Sequence, residues 1–250
     1  MKIRLIRGIR VLFFRMRYLF LLLFFSFAGF AQQQPTKVKY AKSVDSFVPK
    51  GWKIITTAKG DLNKDGTEDV ALVIEATDKE NFIPNESMGS PTLNVNPRTL
   101  LVLFKYKPDG SFSLGAMQDT LIPEANDQEV PCLADPLLQD GGIFIVKGNL
   151  IVDFNYWLSC GSYGVSNKQY TFRYQDNGFA LIGYDTSEYS RASGEMTTTS
   201  INFLIKKKSS TTGGNMFEDD KSKHKTDWET IKIDKLLTLT DITSDSEIDF

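Results

Sequence analysis

The 250-residue chain has one histidine, His224, and only two cysteines. A serine–histidine triad and a histidine-based zinc site both need an imidazole that neighbouring groups hold in a fixed orientation. His224 instead falls within residues 206–227, a polar and charge-mixed stretch that is predicted to be a mobile loop between the last two strands. Neither class of site is therefore expected, and no catalytic residue is assigned.

Long segments with helical periodicity are nearly absent as well. Short apolar, β-branched or aromatic segments alternate with turns rich in glycine, asparagine and aspartate, which is typical of hairpins. Strands are predicted at residues 52–57, 70–74, 99–106, 111–117, 143–146, 150–156, 170–174, 179–184, 200–206 and 228–233. The expected fold is mainly β: a single domain with an antiparallel sheet roll or sandwich and few or no long helices.

Three other segments have their own predictions. A helical turn is predicted at residues 43–47, and a long surface loop at residues 77–97, which are rich in asparagine, proline, serine and glycine. Residues 235–242 are compatible with either a last strand or a helical turn.

The first 31 residues have the composition of a secretory signal peptide. They contain six basic residues and no acidic one, then an apolar run at residues 18–27 and small residues at Gly29 and Ala31. Export is therefore expected, to the periplasm or fully out of the cell. An uncleaved N-terminal anchor is the alternative, and Met16 is a second candidate start because the residues after it form a complete signal by themselves.

Without residues 1–31 the chain has no basic surplus. The remaining sequence carries 23 basic against 31 acidic residues, a net charge of −8. Nucleic acids and anionic membranes both require basic surface, so neither is an expected partner, and no stable membrane insertion is expected after signal cleavage. The remaining chain is divided into a polar lead-in at residues 32–42, one β-rich domain at residues 43–244 and an acidic tail at residues 245–250.

The most specific pattern is GDLNKDGTEDVALVIE, residues 60–75. Counted from the first aspartate, oxygen-bearing side chains stand at positions 1, 3, 5 and 9, a glycine at position 6 permits a sharp turn, and position 7 offers a backbone carbonyl. Calcium prefers hard oxygen ligands in this kind of spacing. The predicted ligands of one calcium ion are Asp61, Asn63, Asp65, the carbonyl of Thr67, and Asp69.

This D-x-N-x-D-G-x-x-D pattern before a strand resembles the calcium loops of FG-GAP and VCBS-type repeats. The resemblance covers residues 60–75 and occurs once, so it implies a single calcium loop and not a β-propeller. An EF-hand needs a bidentate glutamate at position 12, where this chain has Leu72. The alternative is an Asp/Asn/Gly turn that is held only by local hydrogen bonds.

The two cysteines, Cys132 and Cys160, are an even number in an exported chain. An oxidising compartment favours one disulfide between them, and two separately buried thiols are the alternative.

Two residue classes bear on function. Five carboxylates are candidates for a glycan hydrolase only because they are acidic: Glu124, Asp127, Glu129, Asp135 and Asp153. A cluster of aromatic residues is expected to form core on one sheet face or, where exposed, to stack on a sugar or a protein partner: Phe154, Tyr156, Trp157, Tyr163, Tyr170, Phe172 and Tyr174.

The order of features over residues 50–242 also resembles a group of exported bacterial proteins without an assigned activity. The segments that carry this resemblance are FVPKGWKI, GDLNKDGTEDVALVIE, RTLLVLFK, YTFRYQDNGFALIGYD and DWETIKIDKLLTL. It implies a β-rich fold and no particular reaction. The expected function is a non-enzymatic binding or interaction module for an unknown protein or glycan ligand, and carboxylate-dependent glycan hydrolysis is the alternative.

Overall fold

The structure is a computed structural model that describes residues 36, 38–218, 223–246 and 248. The predicted signal peptide lies outside the described residues, as do part of the polar lead-in and part of the acidic tail. The chain from residue 34 onward forms one compact unit.

The described chain is built almost entirely from strands. Their bounds are β1 Tyr40–Ala41, β2 Trp52–Gly60, β3 Asp69–Ala76, β4 Phe82–Pro84, β5 Thr92–Asn94, β6 Arg98–Lys105, β7 Phe112–Gln118, β8 Gly142–Val146, β9 Asn149–Trp157, β10 Gly164–Gln175, β11 Gly178–Ser190, β12 Glu195–Asn202, β13 Lys207–Asn215 and β14 Lys225–Thr230. Short 3₁₀ turns lie at Val44–Phe47, Lys79–Asn81 and Leu239–Asp241. The mainly β prediction is confirmed. Residues 235–242, which were compatible with either a strand or a helical turn, contain a 3₁₀ turn.

The strands form two large antiparallel sheets and one small one. The five-stranded sheet has the order β1-β7-β6-β3-β2, the seven-stranded sheet has the order β14-β13-β12-β11-β10-β9-β8, and β4 pairs with β5. Residues 77–97, predicted to be one long loop, therefore contain a 3₁₀ turn and this small hairpin. None of the described residues forms a helix that is long and apolar enough to cross a membrane.

The main core lies between the two large sheets. Alternate residues of β3 and β6, such as Ala71 and Val102, point from the five-stranded sheet into the same cluster as Val152, Phe154 and Tyr170 of the seven-stranded sheet. Because successive side chains of a strand point to opposite faces of the sheet, only every second residue of each strand contributes to this core. The packing of the two faces is that of a sandwich.

The second face of the five-stranded sheet is also covered. Leu72 and Leu101 pack there with Phe47, which comes from the 3₁₀ turn after β1 and is completely buried. Every residue of β3 is therefore buried. In a sheet with one face open to solvent, buried and exposed residues would alternate along the strand. The predicted helical turn at residues 43–47 is confirmed, and it provides this cover.

A buried ion-pair cluster ties the five-stranded sheet to the loop after β7. The Arg98 side chain is 1% exposed. Its Nε donates to Glu75 Oε2 at 2.8 Å, and its Nη1 donates to Asp135 Oδ1 at 2.8 Å. Glu75 Oε1 also accepts hydrogen bonds from Lys53 at 2.9 Å and Asn94 at 3.1 Å.

The seven-stranded sheet continues beyond the core. Most of β12 and β13 is partly or fully exposed, and all six residues of β14 are exposed. The prediction of a mobile loop at residues 206–227 is therefore wrong, because β13 and the start of β14 lie there. Serine, threonine and glycine in β13 made the segment look like a loop, yet cross-strand pairing does not require an apolar side chain.

Candidate calcium loop and binding groove

The turn between β2 and β3 brings the predicted calcium ligands together through hydrogen bonds to their own backbone. Asp61 accepts the N–H of Asp65 at 3.1 Å and that of Gly66 at 2.9 Å. Asn63 Oδ1 accepts the Asp65 N–H at 3.0 Å, and Asp65 Oδ1 accepts the Thr67 N–H at 2.7 Å. Gly66 has a φ of +80°, a conformation that glycine adopts without strain.

Asp69 has a different position from the other predicted ligands. Its side chain is fully buried, with Oδ2 accepting the N–H of Leu62 at 2.9 Å and Oδ1 accepting the N–H of Lys105 at 3.0 Å. Burial raises the pKa of the Asp69 carboxyl, although these backbone hydrogen bonds oppose the rise. Asp69 thus fastens the loop to the end of β6.

The described residues include no group of three or more histidine, cysteine, aspartate or glutamate side chains arranged to hold a metal ion. The hydrogen bonds within the loop are those that a local turn would make. One feature still suits a cation: each oxygen of the Asp61 carboxylate accepts one N–H and keeps a second lone pair.

The loop stands where the two large sheets meet. A Cβ added to Gly60 at the end of β2 would come within 2.5 Å of Ile145 Cγ2 in β8. A Cβ on Gly148, in the β8–β9 turn, would lie 3.2 Å from the carbonyl oxygen of Asp61. A change in the conformation of the loop would therefore alter the packing between the edge strands β2 and β8.

An open groove of about 670 Å³ lies across the ends of β9 to β13. We call it the sheet groove. Its apolar walls include Tyr156, Val165, Tyr189 and Met196. Its polar lining includes Ser166, Glu188, Ser190, Glu195 and Thr197.

One rim of the sheet groove is the segment between β9 and β10, which holds Leu158 and Ser162. Arg191 fixes this segment, because its Nη2 donates to the Leu158 carbonyl at 2.7 Å and to the Ser162 carbonyl at 2.8 Å. The Arg191 guanidinium also lies over the Trp157 ring, 4.7 Å from the centroid, and 5.9 Å from the Tyr163 centroid.

The disulfide between Cys132 and Cys160 is formed and belongs to the same rim. The Cα atoms of the two cysteines are 5.5 Å apart. Ser159 reinforces the link, since its backbone N–H donates to the Cys132 carbonyl at 2.8 Å. The loop after β7 is thereby joined to the end of β9.

The aromatic cluster divides between core and surface. Phe154, Tyr170 and Phe172 are buried between the sheets, as expected for one face of a strand. Tyr163 is 67% exposed, and Tyr156 reaches both the core and the sheet groove. Burial raises the pKa of Tyr156 to about 12, with nearby Tyr184 adding to the shift. Trp157 and Tyr174 are half-buried.

The candidate carboxylates are not brought to the sheet groove. Asp135 is bound to Arg98, and Asp127 accepts the backbone N–H groups of its own turn. Asp153 is half-buried in β9, where burial raises its pKa against an opposing hydrogen bond from Gln169. None of the five acidic residues lines the groove.

Two carboxylates that the sequence did not single out do line it. Glu188 lies opposite Thr197 in the β11–β12 register, and Glu195 precedes Thr197 by two residues on β12. Both glutamates are therefore on the same sheet face. No motif surrounds either residue, so only the strand register, which the sequence does not show, could have found them.

Comparisons of the chain with protein-family models, with curated proteins and with solved structures give no match.

Proposed function

We propose that the chain is an exported binding module whose ligand occupies the sheet groove. The observation that carries this proposal is the groove itself: an open surface of about 670 Å³, set on a sheet that continues past its own core. Ligand sites are concave, with apolar walls and a few placed polar groups. The disulfide supports export, because disulfides persist in oxidising compartments.

The lining chemistry favours a neutral glycan over a charged ligand. Tyr156 lies opposite Ser166, as Glu188 does, so its partly exposed aromatic side chain is on the same sheet face as Glu188, and such rings pack on the apolar faces of sugar rings. Glu188, Glu195 and Thr197 supply hydrogen-bond acceptors for sugar hydroxyl groups, and the threonine also donates. Two carboxylates in the lining disfavour an anionic ligand.

Replacing Tyr156 with alanine is expected to weaken glycan binding by at least about tenfold, since central aromatic contacts carry much of a binding energy. Calorimetric titration with a panel of neutral hexasaccharides provides the measurement. The matched control is Tyr106→Ala, because Tyr106 is 61% exposed and lies outside the groove. Equal affinity of Tyr156→Ala and the native protein for every bound sugar would contradict the placement of the site.

One observation favours glycan hydrolysis as a second candidate function. Glu188 and Glu195 are diagonal neighbours on paired strands, whose backbone positions lie about 7–8 Å apart, so their carboxyl groups can adopt the separation of about 6.5–9.5 Å used by inverting glycosidases. Chromatography of the incubated hexasaccharides tests this. Hydrolysis is supported if the native protein releases shorter sugars and both Glu188→Gln and Glu195→Gln bind the hexasaccharide without releasing them. If the native protein leaves the sugar intact, only the binding function stands.

The calcium loop enters the proposal as a stabilising element. Asp61, Asn63, Asp65 and the carbonyl of Thr67 are the proposed ligands at the loop, with Asp69 below them. Side-chain hydrogen bonds already bring the first three residues together. The loop lies close to β8 at Gly60 and close to the β8–β9 turn at Gly148. A cation bound in the loop would therefore stabilise the contact between the two sheets.

Calcium is expected to raise the melting temperature of the native protein. Binding to the folded form alone contributes about 2.7 kcal/mol at a hundredfold excess over Kd. Scanning calorimetry in calcium and in chelator measures the shift. Asp65→Ala should abolish it, whereas Glu68→Ala should retain it because Glu68 lies between ligand positions and is exposed. Identical melting curves with calcium and chelator would show that the loop is only a turn.

A further inference from the structure

Strand β14 is the outer edge of the seven-stranded sheet, and in the described part of the chain no strand pairs with its far side. The register with β13 shows which backbone groups point outward. Ile231 donates its N–H to the Lys206 carbonyl at 3.0 Å, so Lys225, Asp227 and Glu229 direct their backbone groups towards β13. The N–H and C=O groups of the intervening residues face the open edge.

Exposed edges of this kind bind further strands unless something discourages it. The strand is short, and its charged residues protect it against an arbitrary partner. A 68% exposed Trp228 at the same edge works against that protection. The order of the charges decides which partner is accepted.

The charges from residue 223 to residue 229 are self-complementary. The sequence reads Lys-His-Lys-Thr-Asp-Trp-Glu, with two lysines before Thr226 and two acidic residues after it. If an identical strand runs antiparallel with Thr226 opposite Thr226, Lys225 falls opposite Asp227. Lys223 lies in a 3₁₀ turn before β14, and it falls opposite Glu229 once the new pairing extends the strand by two residues. Two-fold symmetry repeats both pairs, so four oppositely charged pairs form on one face and no like charges meet.

We propose that β14 pairs with β14 of a second copy of this chain, about a two-fold axis through Thr226. The axis is normal to the sheet, which keeps the charged residues of both copies on one face and Trp228 on the other. Trp228 then lies opposite His224 of the second copy. The backbone groups of residues 226 and 228, which face the open edge, form the hydrogen bonds of the new ladder together with those of residue 224, which joins β14 when the strand is extended.

Other registers of the same two strands are less favourable. A shift that centres the pair on Asp227 sets the two Asp227 carboxylates against each other. A shift that centres it on Trp228 sets Asp227 against Glu229 twice. Like charges directly opposite each other destabilise a strand pair, so the charge order selects the Thr226 register.

Existing contacts within the chain do not prevent this pairing. Lys225 lies 3.0 Å from Asp227, Lys223 lies 2.7 Å from Glu218, and Glu229 lies 3.2 Å from Lys208. All except the Lys208 side chain are well exposed, and exposed ion pairs exchange partners at little cost. The sheet groove stays open, because no β14 residue lines it. Dimerisation is thus independent of the proposed ligand.

Charge reversal with mixing tests the proposal. The native chain should sediment as a dimer at micromolar concentration and low salt. Lys225→Glu and Asp227→Lys should each dissociate it, with Kd raised at least tenfold, because each creates two like-charge pairs. An equimolar mixture of the two variants should form a heterodimer, since both facing positions then carry opposite charges. This recovery also shows that the variants are folded.

Cysteine cross-linking tests the register. Thr226→Cys should oxidise to a covalent dimer, because directly opposed residues lie about 4.5–5.5 Å apart and disulfides span this distance. Thr230→Cys is the matched control on the same edge and face, and it should stay monomeric under denaturing, non-reducing conditions. The native disulfide leaves the new thiol as the only free one. A native chain that is monomeric throughout, a dimer that Lys225→Glu leaves intact, or equal cross-linking at both positions would overturn the proposal.

Discussion

Replacement of Arg98 with methionine is expected to lower the free energy of unfolding by about 3–5 kcal/mol, the usual cost of removing one partner from a buried ion pair. Arg98 is enclosed by Glu75 and Asp135, and the Glu75 side chain is only 3% exposed. Methionine fills much of the same space but leaves the Glu75 carboxylate without its main partner. Urea unfolding at neutral pH measures the loss.

The loss should depend on pH in a defined direction. Burial acts to raise the pKa of Glu75, but hydrogen bonds from Lys53 and Arg98 outweigh it, so the folded-state pKa is lowered. A lowered pKa means that this group stabilises the fold above its unfolded pKa of about 4.3 and loses that contribution as the pH falls further. The difference between native protein and Arg98→Met should therefore shrink below about pH 4.

Lys53→Met is the matched control. Lys53 also contacts Glu75, but its side chain is 53% exposed, so its removal should cost less than about 1 kcal/mol. If Arg98→Met were as mild as Lys53→Met at neutral pH, the cluster would not hold the loop after β7 to the sheet.

Local sequence was enough to predict most of the hairpins in this fold. Asp-Asn-Gly at residues 176–178 connects β10 to β11, and Lys-Gly-Asn at residues 147–149 connects β8 to β9. Residues such as Asn177 and Gly148 adopt positive φ there, which is the conformation such turns require. The signal is contained in a few adjacent residues, so no tertiary information is needed.

Partition of the strands into two sheets could not be predicted in the same way. The neighbours β7 and β8 belong to different sheets, and the turn residues in the long connection between them, such as Asp140 and Gly141, do not mark a change of sheet. Strand β13 was missed, and β12 and β14 were predicted only at their last three residues, because these strands are polar on both faces. The period-2 pattern exists only where one face of a strand is buried.

The candidate sites show the same limit. The candidate calcium loop is one continuous segment, so spacing alone was enough to propose its ligands, although Asp69 lies deeper than the pattern implied. The sheet groove draws residues from five strands, and Glu188 and Glu195 meet only through register. Arg98 lies directly before the strand predicted at residues 99–106 and was not singled out, because its partner Asp135 is 37 residues away.

The double variant Cys132→Ala/Cys160→Ala is expected to unfold with about 3–4 kcal/mol less free energy than the native protein. In the chain-entropy model, a bond that closes a loop of this length (a separation of 28 residues) restricts mainly the unfolded chain. The folded rim should keep its backbone hydrogen bonds, including the one from Ser159 to Cys132. Chemical denaturation gives the change, and calcium should shift the melting temperature of the variant and of the native protein equally.

Peptide mapping without reductant is the accompanying control, and it should recover Cys132 and Cys160 in one linked pair. A single Cys132→Ala variant should lose as much stability as the double variant, since either change opens the loop. Two freely alkylated cysteines in the native protein would contradict the bond. Full stability of the double variant would instead show that Arg191, through its bonds to Leu158 and Ser162, is sufficient to hold the rim.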